Sequence, residues 1–222
     1  PLAALCVAWQ AMHPARYPPM AEGYPVQEAA FLLSADFTGN LYHEFRVGGY
    51  LEWVLDHRAK VFFDGRFGPF NQAGVAYYEA HRSLSAFRAF RSRYPFDAAL
   101  LPYGYAALRG RPGEPPRGPS ALIFPPEEWA LVDFGSYGMV LAKREPANEA
   151  LVQKYAYPHL RLDYLPYLLW SAERGIIPPK ALTAELERAL RASPPPGIHT
   201  ILEAALARLH AMPERVQPPS GK

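Results

Sequence analysis

The chain has 222 residues, 25 of them proline, and carries 23 Lys and Arg against 21 Asp and Glu, a net charge of +2. That balance implies no broad basic surface for nucleic acid, and the single cysteine, Cys6, excludes an internal disulfide or a multi-cysteine metal site. At this length roughly 70–75% of the unfolded surface is buried on folding, so a core forms without cross-links.

The chain opens on Pro1, as expected of an excised or processed product. Its apolar opening, LAALCVAW, falls short of the ~20 residues that span a bilayer; the expectation is that it forms the last turns of a removed transmembrane helix. Residues 1–25 are then a linker, with 12–25 rich in Pro and Tyr. A short amphipathic helix is expected at 27–34.

The most informative stretch follows, GNLYHEFRVGGYLEWVLDHRAKVFFDGRFG at 39–68. Residues 41–45 alternate as a half-buried strand, Gly48-Gly49 break the pattern, 50–55 make a short helix, and 60–63 resume a strand. Two parallel strands joined by this crossover place Gly48-Gly49 at the same sheet edge as Asp64-Gly65-Arg66. In open α/β sheets, sites collect at that edge. The packing expectation is that Trp53 is buried against the sheet with Glu52 outside.

Downstream, residues 71–94 are expected as one long helix, with Ala73, Tyr77, Ala80, Leu84 and Phe87 on its apolar face and Asn71 as its cap. Residues 96–101 read as a strand, 109–119 as a loop, and 121–124 as a further strand. Residues 129–134 and 137–142 read as a hairpin turning at Gly135-Ser136. Beyond 145 the composition shifts to Ala, Leu, Glu and Arg, and four helices are expected at 148–157, 160–174, 180–191 and 198–210. The part at 164–193 resembles one helix-pair repeat of the tetratricopeptide kind, but a single copy does not make an array. The fold class that results is α/β: a mixed, mainly parallel sheet flanked by helices over 26–145, then an all-α segment over 146–222.

Asn40, Tyr42, Gly48, Gly49, Tyr50, Leu51, Trp53, Val61, Phe62, Asp64, Gly65 and Arg66 carry a family resemblance. Their pattern resembles the extracytoplasmic C-terminal domain of bacterial polytopic membrane proteins of the GT-C glycosyltransferase type, which use lipid-linked sugars. It covers about residues 24–144. A more distant similarity is to the catalytic subunit of oligosaccharyltransferases, which carries a Trp-Trp-Asp-Tyr-Gly motif at the comparable place. Here that place holds Arg46-Val47-Gly48-Gly49-Tyr50, so no binding of an acceptor sequon carries over.

The resemblance implies an accessory domain on the extracytoplasmic side of the cell membrane. Its partners would be the membrane-embedded part of the same polypeptide and a lipid-linked sugar or protein acceptor. It would not be catalytic alone, because the acidic catalytic residues of such families lie in loops between transmembrane helices. The many prolines and frequent Arg and Ala add the expectation of a GC-rich, thermophilic source, since proline-rich loops lower unfolded-state entropy.

The residues themselves designate Gly48, Gly49, Tyr50, Asp64 and Arg66 as candidate ligand-binding positions. Asp64 could take a metal, a sugar hydroxyl or a basic group, and Arg66 a phosphate or carboxylate through its planar fork. Gly48-Gly49 could admit an anion to the helix N-terminus. The competing interpretation is a structural turn capped by Asp64. His43 and Glu44, on successive strand positions, face opposite sides and form no dyad. The histidines lack metal-ligand spacing, no nucleophile elbow is present, and no cofactor is implied. Arg82, Arg88, Arg91 and Arg93 stud the long helix as a solvated face or a phosphate contact. Two further functions stay open: a stand-alone scaffold module with a helical tail, and a small sugar- or phosphate-processing enzyme built on Asp64 and Arg66.

Overall fold

A computed structural model describes residues 23–65, 67–103 and 120–212, and the side chains of 67–71 are left aside. The expected loop at 109–119, most of the linker at 1–25, and Arg66 lie outside the described residues.

In chain order the elements are α1 (Val26–Ser34), β1 (Gly39–Tyr42), α2 (Gly48–Leu55), β2 (Ala59–Val61), α3 (Phe67–Ala80), α4 (Leu84–Arg93), β3 (Ala98–Pro102), α5 (Ser120–Ile123), β4 (Trp129–Phe134), β5 (Gly138–Lys143), α6 (Glu149–Tyr155), α7 (Leu165–Glu173), α8 (Pro179–Arg191) and α9 (Pro196–His210). The strands form one sheet in the order β2-β1-β3-β5-β4. β1 pairs with β2 and β3 in parallel, Asn40 opposite Lys60 and Leu41 opposite Ala98. β5 pairs antiparallel with both β3 and β4, Leu141 facing Ala99 on one side and Leu131 on the other.

The fold is therefore α/β with a mixed sheet and a helical C-terminal segment. The expected predominance of parallel pairing is corrected: β5 enters between β3 and β4, and its two ladders are longer than the two parallel ones. The physical reason is the hairpin. Its tight connection returns β5 antiparallel to β4, and β5 then offers its free edge to β3.

Both faces of the sheet are covered. Leu41, Ala98, Leu100, Val132, Val140 and Ala142 point to the face closed by α1 and α2 through Ala29, Leu32, Leu51 and Leu55. Their neighbours Tyr42, Ala99, Leu101, Met139 and Leu141 point to the other face, against Tyr77, Phe87 and Phe90 of α3 and α4 and the leucines of α7–α9. Strands buried on two faces carry near-continuous apolar residues, which is why β3 and β5 read as unbroken runs. Aromatic rings crowd the second face: the Tyr42 ring lies 5.2 Å from Phe124, 5.3 Å from Phe96 and 5.8 Å from Phe87.

The C-terminal helices join this same cluster. Leu182, Glu185, Leu186 and Ala189 of α8 form its buried stripe, at the i, i+3, i+4, i+7 spacing of an amphipathic helix. Glu185 accepts the backbone N–H of Leu160 at 2.9 Å and contacts His159 Nδ1 at 2.6 Å. The Arg188 guanidinium lies 3.6 Å over the Tyr157 ring, and Tyr157 itself donates its N–H to the carbonyl of Leu131 on β4.

Four expectations are corrected. The long helix at 71–94 is two helices, and Asn71 lies inside the first. Ser83 starts the second by accepting the N–H of Ala86 at 3.1 Å, as N-cap serines do. The strand at 121–124 is the helical turn α5, because the N–H and Oγ of Ser120 both donate to Asp163, at 3.2 and 2.8 Å. The strand at 41–45 ends at Tyr42, where His43 turns inward. Trp53 is 71% exposed, not buried. The buried stripe of α2 is Gly48, Leu51 and Leu55, and two residues from Leu51 is about 200° around the helix.

Candidate functional site

β1, β2, β3 and β4 all run in one direction, since β5 is antiparallel to both β3 and β4. Their carboxyl ends therefore share one edge, which holds His43-Glu44, Phe63-Asp64, Tyr103 and the turn at 135–137. The chain leaves β1 for β2 over the face covered by α2, and leaves β2 for β3 over the face covered by α3 and α4. Adjacent strands whose connections part to opposite faces mark a switch point, where crevices form.

Gly48 opens α2 at this edge with ordinary helical backbone angles. A Cβ there would lie 2.1 Å from the carbonyl oxygen of Phe63, 2.9 Å from His43 Cε1 and 3.0 Å from Asp64 Cα. Gly48 is thus required for close approach, not for a positive φ. Gly49 has nothing within 4 Å of the same position. Tyr50 is half-buried, with its ring 5.3 Å from that of Tyr24. Asp64 is buried at 5% exposure. The structure brings Gly48, Gly49 and Asp64 to one edge with Tyr50 in the same first turn of α2.

His43 ties this corner together. Its Nε2 accepts the N–H of Phe62 at 3.1 Å, so the proton sits on Nδ1, which donates to the carbonyl of Glu44 at 2.8 Å. The ring stacks on Phe63. Burial lowers its pKa to about 4, opposed by the Glu44 carbonyl and the Asp64 charge. A neutral imidazole with both nitrogens engaged is a strut and not a general base.

Sequence reasoning missed the acidic half of the edge. Glu28, in the first turn of α1, is fully buried. Its Oε1 accepts the N–H groups of Tyr137 and Gly138 at 2.9 and 2.8 Å, while Gln27 Oε1 accepts that of Ser136 at 2.9 Å. A Cβ on Gly135 would fall 2.7 Å from Glu28 Oε1. Oε2 of Glu28 and the hydroxyl of Tyr103 are buried with no hydrogen-bond partner among the described residues. Tyr137 donates its hydroxyl to Glu44 Oε2 at 3.0 Å, and the Tyr103 N–H donates to the Tyr137 carbonyl.

The electrostatics follow from burial. Desolvation raises the Glu28 carboxyl, against the backbone N–H groups that favour its charge. It raises Asp133 to about 7, with the nearby Glu28 adding to the shift, and it raises the Tyr103 and Tyr137 hydroxyls. The one sequence signal for this cluster is Glu28 itself, an acid beside Ala29 and Leu32 on the buried stripe of α1.

Such an edge offers hydrogen bonds to a hydroxyl-rich or cationic group. Among the described residues no three His, Cys, Asp or Glu could hold a metal ion, and no described helix is long and apolar enough to cross a membrane. Comparison with protein-family models, with curated proteins and with solved structures gives no match for this chain.

Proposed function

We propose that this chain is an accessory domain of a membrane-embedded, GT-C-like glycosyltransferase, on the extracytoplasmic side of the cell membrane. It binds or orients a lipid-linked sugar or protein acceptor at the carboxyl edge of its sheet and does not catalyse alone. One observation carries the non-catalytic part. His43 and Oε1 of Glu28 are held by backbone contacts that build the edge. The motif residues Gly48 and Asp64 meeting at that edge support its use as a binding surface.

The purified chain, incubated with lipid-linked and nucleotide sugars with and without divalent metal, should give no turnover. Turnover abolished by Asp64→Asn would replace this reading with a stand-alone enzyme built around Asp64. The coding sequence upstream should contain several apolar segments of ~20 residues. A start codon close to Pro1 would overturn the membrane-embedded parent.

A further inference from the structure

A concave surface lies at the opposite edge of the sheet, away from the motif residues. It is a cleft of ≈ 260 Å³ between α4, the start of β4 and the end of β5. Arg88, Arg91 and Lys143 line it together with Glu128, over the rings of Phe96 and Trp129. We propose that this cleft binds a phosphate group, as a phosphate monoester or a phospholipid headgroup.

Three observations converge. First, cations outnumber acids in the lining, and Arg88 is exposed with no ion pair among the described residues. Second, each compensated cation has one carboxylate partner among the described residues, and the one on Arg91 is exposed. Arg91 meets Glu128 at 2.5 Å, but the Glu128 side chain is 54% exposed. Lys143 meets Glu145 at 2.6 Å. Ion pairs near the surface contribute little, so a dianion can take over Nη2 of Arg91 from Glu128. Nη1 stays bonded to the carbonyl of Ile123 at 2.8 Å and keeps the guanidinium in place.

Third, a buried cation lies beneath the cleft wall. Arg161 is 2% exposed and donates through Nη2 to the carbonyls of Trp129 and Phe124. Among the described residues its Nη1 has no hydrogen-bond partner, and neither has the indole N–H of Trp129. The nearby Asp163 accepts two hydrogen bonds from Ser120 instead. A cation in a low-dielectric interior, without a paired carboxylate, projects its potential toward the closest polar opening. Trp129, whose carbonyl Arg161 holds, also lines the cleft. Phosphate suits three converging donors on Arg and Lys better than a monovalent carboxylate does.

The test is a titration of the ¹⁵N-labelled chain with inorganic phosphate, with sodium chloride at matched ionic strength as the control. The Trp129 indole and Arg88 guanidinium signals should shift saturably, while that of the exposed Trp53 stays still. Arg88→Gln, at the surface, should keep the melting temperature; Lys143 is half-buried and paired with Glu145, so Lys143→Gln is read alongside its own melt, and each variant should weaken binding roughly tenfold, the effect of one lost charge-assisted hydrogen bond of about 1.4 kcal/mol. Parallel titrations with a hexose monophosphate and with phosphatidic acid vesicles, against neutral phosphatidylcholine vesicles, identify a soluble ester or a headgroup as the source. The proposal fails if phosphate gives no saturable shift, if chloride reproduces it, or if both variants bind as the parent does.

Discussion

The backbone N–H of Gly138 donates to Oε1 of Glu28 at 2.8 Å, a bond between residues 110 apart in the chain. Through it, the first turn of α1 holds the turn of the β4–β5 hairpin, and the buried acid stands beside Asp133 and Tyr103 at the carboxyl edge. Removing the carboxyl in Glu28→Ala leaves the Tyr137 and Gly138 N–H groups without their acceptor. Each unsatisfied buried donor costs about 1–3 kcal/mol, so a loss of about 2–5 kcal/mol is expected in urea unfolding. A variant as stable as the parent would show that the clamp is dispensable.

Asp133 links the edge to pH. Its carboxyl rises from 3.8 to about 7 on folding, so between those values the native state keeps a proton that the unfolded chain has released. Stability therefore falls as pH rises through this window, and the full penalty is in place above about 7. Asp133→Asn can still accept the Phe134 N–H and carries no charge. Relative to the parent it should gain about 1–3 kcal/mol between pH 5 and pH 8. Urea melts of both proteins at the two pH values check this, and a constant difference would refute it.

His43 acts with the opposite sign. Its pKa is lowered from 6.5 to about 4, so the unfolded chain binds the extra proton between those values, and stability falls as pH drops through them. The two groups offset one another between about pH 4 and 6.5. His43→Ala should cost about 2–4 kcal/mol by leaving the Phe62 N–H and Glu44 carbonyl unpartnered. It should also expose the Asp133 slope, so that the variant loses stability with rising pH faster than the parent. In the parent, the His43 ring resonances should titrate near pH 4 and show no step near 6.5.

The two glycines of the motif should respond differently. Gly48→Ala places a methyl 2.1 Å from the Phe63 carbonyl, and the resulting backbone shift should cost about 1–3 kcal/mol or more. Gly49→Ala meets open space in the first turn of a helix. It should be neutral or stabilising by about 0.5–1 kcal/mol. Thermal melts of the pair decide it, and equal losses would rule out close approach as the reason for Gly48.

Trp53→Ala should change stability by no more than about 0.5 kcal/mol, as surface substitutions do. Leu51→Ala, two residues away and fully buried, should cost about 2–5 kcal/mol. A large loss for Trp53→Ala would place its ring in a contact that its exposure contradicts.

The strand-helix-strand unit at 39–61, the hairpin and the four C-terminal helices are legible from sequence, because each rests on a periodicity or a breaker within a few residues. The meeting of Gly48 with Asp64 follows from the same local logic, since a short crossover leaves few places for the second strand. What sequence leaves undecided depends on distant partners. Residues 120–124 carry an apolar run fit for a strand, and Asp163, 43 residues on, turns it into a helix. Trp53 looks like a core residue until the buried stripe of α2 is known. Glu28 loses its water only when the hairpin turn meets it. Local pattern determines which elements form, because propensity and periodicity act over a few residues. Which face each element buries, and which acids lose their water, depends on contacts that exist only after the chain has closed on itself, and the acidic cluster at the carboxyl edge is built from such contacts.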